Sequence, residues 1–294
     1  MRQDLGSQAP RHDPAPSPDV LGCSPSPALR DLQLVELSVL RELLRVCEAH
    51  GLRYFLAYGT LLGAVRHRGF IPWDDDIDVT MPRSDYDRLG HICGSGLRPG
   101  FRWQSYSTDR DYPHLFGKLV RDGTVLTQEP TAHLPIQHSV YIDVFPLDGC
   151  AGGRWSAVTQ RVVLRLIRGR LGVSIRRGSF NHAIAQLTRV IPRSMAIAAF
   201  ERMVRSIPAE GSARWICVGG PYGAVRQTFP SVWFGAGAPQ VFEDVAAIGP
   251  LEWDKYLNRL YGDYMTPPPV AKRTSHHQVT FVRLKDQPFE EAAP

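Results

Sequence analysis

A chain of 294 residues, 43% apolar and 21% charged, is long enough for one large domain or two small ones around a buried core, and its balance is that of a globular protein. It has no apolar run near the ~18 residues of a membrane span. Its start, MRQDLGSQAPRHDPAPSPDV, carries no apolar segment of a secretory signal, so a cytoplasmic location is expected.

The five cysteines (Cys23, Cys47, Cys93, Cys150, Cys217) are scattered, odd in number and without a C-x-x-C pair, which excludes a disulfide scaffold or zinc ribbon and fits a reducing compartment. The net charge is +5, unevenly spread. Between Arg154 and Arg205 eleven arginines stand against one acid, Glu201, so a basic segment is set in a mildly acidic body. No nucleic-acid module accompanies that charge, and nucleic acid is not an expected partner.

Residues 1 to about 30 hold six prolines and four serines and read as a disordered tail. From Asp31 the pattern is helical: Leu37, Leu40, Leu44 and Cys47 share a face, and Gly51 is the expected stop. Tyr54 to Ala57 is a short buried strand, followed by Gly59-Thr60 and a small-residue helix through Leu62, Ala64 and Val65. Asp76 to Met81 is a second strand, and Ser84 is the expected N-cap of the next helix. Further strands are expected at Phe101 to Ser105, Leu115 to Val120 and Tyr141 to Phe145. Residues 154 to 206 read as mainly helical. Trp253, Tyr256, Leu257, Leu260 and Tyr261 form a last helical stripe ended by Gly262, with Pro267-Pro268-Pro269 beyond it. Mixed strands and helices without regular alternation give an α+β fold, a mixed sheet flanked by helices. The expected division is a core at 31–150, a basic helical segment at 151–210 and the remainder of the same domain at 211–294, disordered after about 280.

The stretch Gly59-Thr60 to Val79 carries the chemistry. Strand alternation puts Asp76 and Asp78 on one face and Ile77 and Val79 on the other. Two carboxylates that close repel unless water or a cation lies between them, and Mg²⁺ is the natural counter-charge because it takes carboxylate oxygens and keeps positions open for phosphate. Asp143, between the apolar Ile142 and Val144, is a third acid on a sheet face and is costly to bury without a partner. An EF-hand is excluded, since Val79 stands where the loop needs Gly and Asp85 where it needs Glu. Gly59-Thr60, between a strand and a helix, sits where exposed N–H groups hold phosphate. Lys118 and Arg121, near a strand end, and Arg66 and His67 are candidate phosphate partners.

These residues resemble the LicD family of the nucleotidyltransferase superfamily, which includes bacterial phosphocholine transferases and the animal fukutin-related protein. The resemblance is carried by Tyr58 to His67, Gly69 to Val79, Lys118 to Arg121 and Ile142 to Gly149, with a later match at Tyr261 to Met265, Pro267-Pro268 and His276-His277. It implies a nucleotidyltransferase-like fold and Mg²⁺-dependent transfer, with Mn²⁺ as the alternative ion. A substituted phosphate such as phosphocholine would pass from a CDP-activated alcohol to a sugar hydroxyl of a cell-surface glycan or its lipid-linked precursor. Asp76 and Asp78 are implied as metal ligands, Asp143 as the third acid, either ligand or base, and Gly59 and Thr60 as donor-phosphate contacts.

Three other functions share features of this pattern: a transferase moving the nucleotide monophosphate itself, a D-x-D glycosyltransferase, and an inactive glycan- or membrane-binding relative. The basic segment, with Arg161, Arg165 and Arg168 at helical spacing among apolar residues, reads either as a solvated helical unit or as a peripheral contact with an anionic inner membrane face.

Overall fold

The computed structural model describes residues 25–150, 190–275 and 279–284. They form five α-helices and eleven strands. In chain order these are α1 (Pro27–His50), β1 (Phe55–Leu56), α2 (Tyr58–His67), β2 (Asp78–Pro82), α3 (Arg83–Ile92), β3 (Phe101–Gln104), β4 (Gly117–Arg121), β5 (Val125–Gln128), β6 (Val140–Gly149), α4 (Arg193–Arg205), β7 (Arg214–Cys217), β8 (Thr228–Pro230), β9 (Ala238–Phe242), β10 (Val245–Gly249), α5 (Trp253–Tyr261) and β11 (Val279–Arg283). The α+β expectation holds, with a seven-stranded mixed sheet at the centre and two small antiparallel pairs, β9 with β10 and β5 with β11.

β6 organises the sheet. It is ten residues long and buried throughout, pairing in parallel with β2 along one edge. On the other side it pairs antiparallel with β4 over Val140 to Val144, then with β7 over Leu147 to Gly149. Ile77, Val79, Leu119, Ile142 and Val144 enter the main core with Leu37, Leu40 and Leu43 of α1. Burying such side chains contributes roughly 1.5–3 kcal/mol each. Arg83 at the start of α3 grips Asp148 of β6 through two hydrogen bonds, of 2.6 and 3.0 Å, both partners buried.

α1 ends at Gly51, whose φ of 60° places it in the left-handed region while its N–H closes the helix on Cys47 and Glu48. Its start differs from expectation. The Ser26 hydroxyl accepts the Leu29 N–H and Pro27 opens the helix, so the last residues of the expected tail are already helical, and residues 1–24 lie outside the described part. Ser84 does not cap α3; Pro82 stands at that position and the Ser84 hydroxyl bonds Glu210 instead. The expected disorder after about 280 is corrected at its beginning, because Thr280 to Arg283 belong to β11, paired with β5. α5 and its Gly262 end are as expected.

Of the basic segment, residues 151–189 lie outside the described residues; α4 is its described helix. Two of the arginines there are engaged within the protein, Arg193 with the Tyr112 carbonyl and Arg205 with Asp87 and Glu201. Among the described residues no helix is long and apolar enough to cross a membrane.

Candidate active site

Strand register creates one row of polar side chains across the sheet. Asp78 of β2 lies opposite Asp143 of β6, Asp143 opposite Lys118 of β4, and Lys118 opposite Gln104 of β3. Residues directly opposite one another point to the same face, so Asp78, Asp143 and Lys118 are neighbours, each less than a tenth exposed. The Lys118 ammonium is 3.0 Å from Asp143 Oδ1 and lies over the Tyr141 ring. Burial lowers the Lys118 pKa, with the nearby carboxylates acting the other way. Burial, then Asp76, Asp143 and Asp74, push the Asp78 carboxyl well above the usual carboxylate range.

The expected strand begins two residues late. Asp76 precedes β2 in the loop after Trp73 and is only partly buried. There it joins Asp74 and Asp75: the described group of three carboxylates whose oxygens lie within 4.8 Å of one another is Asp74, Asp75 and Asp76. Two acids that the sequence reading did not select, Asp74 and Asp75, therefore converge with Asp76. Asp76 belongs to that cluster, and Asp78 and Asp143 belong to the adjoining row. Oxygens that close suit a hard divalent cation, and nearby like charges that already raise the Asp78 pKa point the same way.

α2 delivers its first turn to this loop. A Cβ on Gly59 would meet Asp74 Oδ2 at 2.6 Å, so only glycine lets the carboxylate approach the positive end of the helix. Thr60 Oγ1 accepts the Asp78 N–H at 2.8 Å, which ties the start of β2 to α2. Gly59 and Thr60 thus shape the acidic site directly.

Two expected phosphate partners are placed otherwise. Arg66 is buried, donating from Nη1 to the Tyr264 carbonyl at 2.8 Å and from Nε to His67 Nε2 at 2.9 Å. Arg121 is three residues from Lys118 on the same strand and so points to the opposite face, where it stacks on Phe101 and bonds the Gly100 carbonyl.

Burial first, then Arg66 and Arg273, lowers the His67 pKa to about 4. A base whose folded pKa is depressed stabilises the fold fully above its unfolded value, near 6.5, and loses that contribution as pH falls toward 4, at most about 3 kcal/mol. Urea unfolding at pH 7.5 and 5 is expected to show this loss in the wild type and a smaller one in His67→Gln; equal losses would contradict it.

Three contributors carried no signal in local spacing. Ser275 Oγ donates to Asp75 Oδ2 at 2.5 Å, and the Arg273 guanidinium lies over the Trp73 ring, bringing the C-terminal segment onto the acidic loop. His276 and His277, next in the chain, lie outside the described residues. Gln33 of α1 donates to the Asp74 carbonyl at 2.9 Å. Of the aromatic residues near the C-terminus, Tyr261 bonds Tyr222, Tyr264 is buried against Asp254, and Met265 is exposed.

The family model described as LicD/FKTN/FKRP, nucleotidyltransferase domain, matches residues 51–147, the span that holds the acidic loop, the first turn of α2 and the Asp78, Asp143, Lys118 row. Residues 51–147 thus match the LicD family. Lipopolysaccharide cholinephosphotransferase LicD of Haemophilus influenzae is 25% identical over 263 residues, covering 85% of this chain and 96% of that relative. Ribitol 5-phosphate transferase FKRP of Homo sapiens is 39% identical over 77 residues, 23% of this chain and 16% of the relative's length. The likeness to LicD is thus shallow and nearly end to end, whereas that to FKRP is closer and confined to one stretch.

Proposed function

We propose that the chain is a LicD-type phosphotransferase that uses a divalent cation, Mg²⁺ or Mn²⁺, to move a substituted phosphate from a CDP-activated alcohol to a sugar hydroxyl. The acceptor is a cell-surface glycan or its lipid-linked precursor. The observation that carries this reading is the convergence of Asp74, Asp75 and Asp76 beside the row of Asp78, Asp143 and Lys118. The relatives named for transfer of choline phosphate and of ribitol phosphate support the class of reaction.

Phosphoryl-group transfer needs positioning and charge neutralisation more than covalent help. The loop carboxylates would hold the cation, which when bound neutralises the diphosphate and the departing nucleotide. An acceptor oxygen forms its bond to the distal phosphorus as the bond from that phosphorus to CMP breaks, and CMP leaves with the electron pair. The hydroxyl proton passes to Asp78, which opens β2 directly after the acidic loop and lies opposite Asp143. Asp143, held against Lys118, keeps its charge and its position. The first turn of α2 steadies Asp74 through the close approach at Gly59, and Thr60 steadies Asp78.

Incubating purified protein and Mg²⁺ with a panel of CDP-alcohols and lipid-linked sugars is expected to release CMP and leave a substituted phosphate on the acceptor, read by mass. Nucleotide found on the acceptor instead would establish transfer of the nucleotide monophosphate and overturn this reading.

A further inference from the structure

α1 packs across β6 and β4, and its Gln33 reaches the acidic loop. Arg30 bonds Gln33, and Gln33 is fixed by its bond to the Asp74 carbonyl. Glu36 follows three residues later on the same helix face. It is 1% exposed, and its Oε2 is buried with no hydrogen-bond partner.

A carboxylic acid in that place is not explained by packing. Glutamine has the same shape, and an apolar side chain would fill the volume without stranding an oxygen. We propose that Glu36, delivered by α1, is a further carboxylate of the cation site formed by Asp74, Asp75 and Asp76, an inference that rests on the cation-dependent reading above. Burial and then Asp76, Asp75, Asp74 and Asp143 all disfavour a negative charge on Glu36. A divalent ion held by the loop carboxylates would make an ionised Glu36 favourable there, and its affinity would in turn depend on that carboxylate.

The full-length wild type, Glu36→Gln, Glu36→Asp and Asp76→Asn would be titrated with Mn²⁺ alone, with free Mn²⁺ read by electron paramagnetic resonance and folding by circular dichroism. Glu36→Gln, equal in shape and lacking the charge, is expected to weaken Mn²⁺ binding at least tenfold with its fold retained. Affinity equal to the wild type, alongside weakened binding in Asp76→Asn, would overturn the role of Glu36 while leaving the cation site standing. No Mn²⁺ binding by the wild type would overturn both. Should Glu36→Gln not fold, Glu36→Asp decides: withdrawing the carboxylate by one methylene is expected to weaken binding measurably, and unchanged affinity would refute the proposal.

Discussion

Asp78→Asn is expected to lower CMP release by about a thousandfold or more while the protein remains folded. Asn keeps the shape of the side chain and leaves the Asp78 N–H on Thr60 undisturbed, but it cannot take the acceptor proton. Stability should hold or rise, because the substitution removes a buried negative charge from a group already crowded by Asp76, Asp143 and Asp74. Asp76→Asn should give a comparable loss for a different reason, through weakened cation binding by the loop. Rates together with thermal melts of the two variants check this. Turnover within tenfold of the wild type in Asp78→Asn would remove that residue from the proton-accepting role.

Lys118→Met is expected to cost about 3–5 kcal/mol of stability, the usual consequence of leaving one member of a buried ion pair uncompensated. The stranded group is Asp143, less than a tenth exposed and 3.0 Å from the lost ammonium. Lys118→Met combined with Asp143→Asn should recover most of that stability, since the second change removes the uncompensated charge. Denaturant unfolding of the two single variants and the double variant forms a mutant cycle that isolates the pair. Turnover should stay at least a hundredfold down in the double variant, because the fixed charges of the row are gone. Strictly additive stability losses would show that the 3.0 Å contact contributes little in solution.

Both effects arise from cross-strand register, and register marks the limit of what could be read along the chain. The alternation around Ile77 and Val79 identified Asp78 as a face-sharing acid, and the same logic placed Asp143 opposite its apolar neighbours. It also misjudged the start of β2, whose pairing with β6 begins only at Asp78, opposite Asp143. Hydrogen bonding between β2 and β6 leaves Asp76 in the preceding segment, close to Asp74 and Asp75. Lys118 and Arg121 look equivalent as basic residues near a strand end. The period of two sends one to the acids and the other to Phe101. Arg66 reads as a phosphate partner until the fold brings the Tyr264 carbonyl to it.

What the sequence by itself determined is local. Gly51 ends a helix because its left-handed turn is accessible to glycine, the Trp253 to Tyr261 stripe is helical because its apolar residues recur at helical spacing, and the acids are present in a recognisable order. Only the tertiary structure decided which of those acids converge, that Lys118 neutralises one of them, and that Gln33 and Ser275, distant from the loop in the chain, bond it. The reason is that hydrogen-bonding pattern and side-chain period act over a few residues. The meeting of α1 and the C-terminal segment on one loop is set by packing around β6, which no short-range spacing encodes.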